Sequence, residues 1–86
     1  MAEGSSSVPP IDFTTFVLSL STNGMIQLGE VEGPEGAGVD FALAKQTLEM
    51  LEMLEAKTSG NLTGEEERIL TQVLSDYRDA YEKRAR

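Results

Sequence analysis

Apolar residues recur at spacings of three and four in three separate stretches, which predicts three helices. The middle stretch is the most regular. Ala44, Leu48, Leu51 and Leu54 share one face, Leu43, Met50 and Met53 widen the apolar arc, and Glu49, Glu52 and Glu55 fill much of the remainder. No Gly or Pro interrupts Phe41 to Lys57, and Ala, Leu, Met, Glu, Lys and Gln dominate there. Such residues lose little side-chain freedom in a helix. In the last stretch Ile69, Leu70, Val73, Leu74, Tyr77, Ala80 and Tyr81 form a second stripe. The tyrosines there, with apolar rings and polar tips, suit a helix edge or an interface rim. In the first stretch Phe13, Phe16, Val17, Leu20, Gly24 and Leu28 fall on one face, with Leu18, Met25 and Ile26 elsewhere around the helix. Phe16-Val17-Leu18 has the composition of a strand core. The pattern runs well past the usual strand length, and that favours a helix.

Start and stop signals fall at the ends of these stretches. Asp12 and Asp40 are placed to cap two helix N-termini with their carboxylates. Thr63 and Glu66 fit a capping box, in which each side chain bonds the other's backbone N–H. Gly29 and Gly60 offer the left-handed conformation that ends many helices, and Lys57 suits the negative end of a helix dipole. The expected helices are about 12–28, 40–59 and 63–84. A Gly-rich loop covers 29–39, and residues 1–10 (MAEGSSSVPP) form a flexible tail. The link around Ser59 to Leu62 is so short that the second and third helices must be antiparallel neighbours. The expected fold is all-α: one three-helix domain over 11–86, a helix 2–helix 3 hairpin with the first helix laid across it.

Composition narrows the chemistry. The 86 residues make one small domain, of a size that buries only roughly 60% of its unfolded surface. Small scaffolds often add disulfides, metals or further subunits. This chain has no Cys and no His, so oligomerisation is the device left to complete it. The formal net charge is −8, which argues against nucleic acid and anionic membranes, since both need basic patches. No basic segment precedes an apolar run, as a secretory leader requires, and the expected location is cytoplasmic. Gly33, Gly36 and Gly38 do not match a phosphate-binding spacing. The Glu49, Glu52 and Glu55 set lacks the His partners of a carboxylate metal bundle and reads as a solvated face. Asn61-Leu62-Thr63 has the form of a glycosylation acceptor but reads better as a turn. The reading is therefore a non-enzymatic protein with no catalytic residues, cofactor or metal.

The first stretch has no charged residue between Asp12 and Glu30. A helix that is apolar nearly all round is buried on more than one side, and two other helices cannot wrap it fully. Thr14, Thr15, Ser19, Ser21, Thr22, Asn23 and Gln27 interrupt the run too often for a membrane span. An interfacial anchor would carry Lys or Arg, and there is none. The expected partner is the protein itself, as a homodimer or tetramer, with a different protein as the alternative. The expected interface residues are Phe13, Phe16, Val17, Leu20, Met25 and Leu28, with Met50 and Met53 as an adaptable apolar surface. The small residues Ser21 and Gly24 leave room for a second helix to approach. In the alternative, the acidic surface or the Met-lined one serves a heteromeric adaptor.

Four segments in order resemble a known family. They are Asp12 to Leu20 (DFTTFVLSL), then Leu28-Gly29-Glu30, then Ala44 to Thr47 with Leu51 to Leu54, and Lys57 to Thr63 (KTSGNLT) before Glu65-Glu66-Glu67. Together they are similar to the small bacterial domain of unknown function DUF1844, over roughly residues 11–80. The Gly-rich loop is heavier in glycine than that family's pattern. The resemblance implies a small, helical, bacterial and cytoplasmic protein, and it carries over no activity and no site residues.

Overall fold

A computed structural model describes residues 10–34 and 38–85. The expected tail, apart from Pro10, and positions 35–37 of the Gly-rich loop lie outside the described residues. The chain forms three helices, α1 (Phe13–Leu28), α2 (Phe41–Lys57) and α3 (Gly64–Ala85). Each packs against the other two.

The caps explain the boundaries. Asp12 and Asp40 are extended residues whose carboxylates accept from Thr15 N at 2.7 Å and Leu43 N at 3.1 Å. Gly29 ends α1 at φ 84°, and its N–H donates to Ile26 O. Thr63 and Glu66 form the capping box reciprocally. Thr63 N donates to Glu66 Oε1 at 3.0 Å, and Glu66 N donates to Thr63 Oγ1 at 3.1 Å. α2 stops two residues before the expected position. The Thr58 hydroxyl and N–H both donate to Leu54 O, at 2.6 and 3.0 Å, and close the last turn there. Gly60, at φ 80°, reverses the chain one step later.

Contacts between elements give the helix directions. Gly24 of α1 lies against Tyr77 of α3, and Glu30 just past α1 pairs with Arg84 of α3 at 2.7 Å. Both pairs advance together, so α1 and α3 run the same way. The short link makes α2 antiparallel to α3, and Arg78 reaches Glu52 at 3.1 Å between them. The bundle is therefore up-down-up.

Val17, Leu28, Ala44, Leu51, Leu70, Leu74 and Tyr77 form the core, all at most 2% exposed. Phe13, Leu20, Met25, Leu48, Leu62, Val73, Ala80 and Tyr81 pack around it. Tyr77 is fully buried, not at a rim. Its hydroxyl has a partner inside the bundle, donating to Ala44 O at 2.8 Å.

Candidate interface on the first helix

A buried polar knot decides which face of α1 is hidden. Gln27 comes from α1, Ala44 and Thr47 from α2, and Tyr77 from α3. Tyr77 donates to Ala44 O, and Thr47 Oγ1 donates to Gln27 Oε1 at 2.8 Å. Burial pushes the Tyr77 phenol up to about 12, with the neighbouring Thr47 side chain offsetting this in part. Thr47 is itself 2% exposed. Buried polar groups without partners are costly, so this set is stable only in one register of the three helices. Gly24 completes it. A Cβ there would stand 2.6 Å from Tyr77 Cζ, so only glycine lets the ring lie against α1.

The knot turns Val17, Gly24 and Leu28 inward. This corrects part of the expected interface. Val17 and Leu28 are 0% exposed and belong to the chain's own core. Phe13, Leu20 and Met25 pack partly buried against that core. Gly24 receives a ring of its own chain, not a second molecule. The hairpin consumes the most apolar stripe of α1. Of the other expected residues, Phe16 is 41% exposed, Met53 is 53% exposed and Met50 is half-buried.

The outward side of α1 is the face opposite that core. Thr15, Ser19, Thr22 and Ile26 run along its centre, flanked by Leu18 on one side and Phe16 and Asn23 on the other. An open depression of about 460 Å³ is lined by Thr15, Leu18, Ser19, Thr22 and Asn23. A second, of about 350 Å³, is lined by Asn23, Ile26, Gln27, Pro34, Gly38 and Leu43. They meet at Asn23 and make one track from the middle of α1 to the start of α2. None of these residues is charged. Leu18 is 47% exposed and Leu43 46%.

Spacing alone did not pick out Leu18, Ile26 and Leu43 as interface residues, because they lie off the strongest stripes. The missing charge on α1 was the signal. A stretch without Asp, Glu, Lys or Arg has an uncharged outer face, whichever stripe the core takes. Among the described residues, no three acidic side chains converge closely enough to hold a metal ion. No described helix is long and apolar enough to cross a membrane.

A small all-α domain with an uncharged outer helix is thus what the fold and this surface define. The chain belongs to the family described as "Domain of unknown function (DUF1844)", which it matches over residues 10–83. No curated protein and no solved structure matches the chain.

Proposed function

We propose that this protein is a self-associating helical module that meets a second copy of itself through the outward face of α1. One observation carries the reading: α1 has no charged residue over its 16 positions, although the chain carries a formal charge of −8. An interface between identical copies sets each surface against itself. The solvent sides of α2 and α3 carry acids, so meeting there sets like charges together. The outward face of α1, extended by Leu43, avoids this and also hides Leu18 and Phe16 from water. No enzymatic activity forms part of the proposal. A cytoplasmic setting in a bacterium, as the family resemblance implies, belongs to it.

Light scattering behind size exclusion tests the reading. A mass above one chain at micromolar concentration is the expected result, and Leu18→Asp is expected to return it to one chain. Leu18 is exposed, so the variant keeps its fold, which circular dichroism checks. A wild-type monomer across the accessible range overturns the proposal. The second reading is a heteromeric adaptor, which the exposure of Met53 favours. It requires Met53→Asp to abolish a stoichiometric complex with another chain while leaving any self-association intact.

A further inference from the structure

Four of the residues lining the larger depression, Thr15, Leu18, Ser19 and Thr22, stand at positions i, i+3, i+4 and i+7. That is the arrangement that receives one knob from a facing helix in knobs-into-holes packing. Ile26 is the one large apolar side chain on the centre line of the same face, and it is only half-buried by its own chain. One helix face thus carries both a knob and a hole, and the two cannot meet within a chain.

We infer that two copies pair α1 against α1 in antiparallel register, each Ile26 filling the other's Thr15–Thr22 hole and Thr22 lying at the two-fold axis. This rests on the self-association reading and specifies its geometry. Closure decides the direction. In a parallel pair around a two-fold, each residue faces its own copy, so Ile26 meets Ile26 and both holes stay open. In the antiparallel pair, both knobs fill both holes at once, as an isologous contact requires. The midpoint between knob and hole falls at Thr22. Ser19 and Thr22 are small enough to let the backbones approach.

The chain has no Cys, so single cysteines report the pairing cleanly. Thr22→Cys is expected to form a disulfide-linked dimer under mild oxidation, because a disulfide needs Cα atoms within about 7 Å. Thr15→Cys alone is not expected to link. The antiparallel register separates the two Thr15 positions by roughly 20 Å, from the rise per residue of a helix. Ile26→Ala is expected to raise the dissociation constant roughly tenfold or more while the helix content holds. A dimer by mass that links through Thr15→Cys as well as through Thr22→Cys means parallel pairing. A dimer that links through neither means another face. Either result overturns this geometry and leaves self-association standing. A monomer by mass overturns both.

Discussion

Gly24 is a residue at which two physical effects oppose each other. Glycine inside a helix costs about 1 kcal/mol relative to alanine, so local propensity favours Gly24→Ala. Packing opposes it, because the new methyl would press on the fully buried Tyr77 ring. Overpacking a filled core costs about 1–3 kcal/mol, and the ring cannot swing away without giving up Ala44 O. Packing therefore wins, and the urea midpoint of Gly24→Ala is expected to fall. A raised midpoint would place the ring elsewhere. Tyr77 also links stability to alkaline pH. Its phenol sits at about 12 in the folded chain against an ordinary 10.0. The folded state thus favours the neutral form. That stabilisation is fully present below pH 10 and is lost as pH rises through about 12. Stability should decline over this range, and Tyr77→Phe should decline less. Equal slopes for the two proteins would detach the effect from Tyr77.

Helix existence was legible in the sequence because periodicity and caps agreed at nearly every end. Asp12, Asp40, Thr63 with Glu66, and Gly29 do what their residue types suggest. Only the end of α2 shifted, where the Thr58 hydroxyl closes the turn earlier than Gly60 would. The direction of the hairpin was legible too, since a link that short permits no other. The facing of α1 was less so. Its strongest apolar stripe, through Val17 and Leu28, has the same appearance whether its cover is the same chain or another. Periodicity reports that a face is hidden and not what hides it. The deciding contacts were polar and distant in sequence. Thr47 to Gln27 and Tyr77 to Ala44 join positions 20 and 33 residues apart, and a single sequence carries no local sign of such pairs.

At the scale of the molecule, the charge and the uncharged face of α1 together predict an unusual salt response. Each copy carries −8, so bringing two together builds up repulsion even though the contact itself is neutral. Added salt screens this repulsion, with a screening length of about 10 Å at 0.1 M and about 3 Å at 1 M. It takes little from the Ile26 and Leu18 contacts, because apolar burial does not depend on charge. Self-association is thus expected to tighten as salt rises from about 0.1 M to about 1 M, read as a falling dissociation constant by sedimentation. A complex held by pairing this acidic chain with a basic partner would loosen over the same range. The sign of the salt dependence separates a neutral contact between copies from an electrostatic adaptor, and a loosening homodimer would show that ion pairs, not the outward face of α1, hold the copies together.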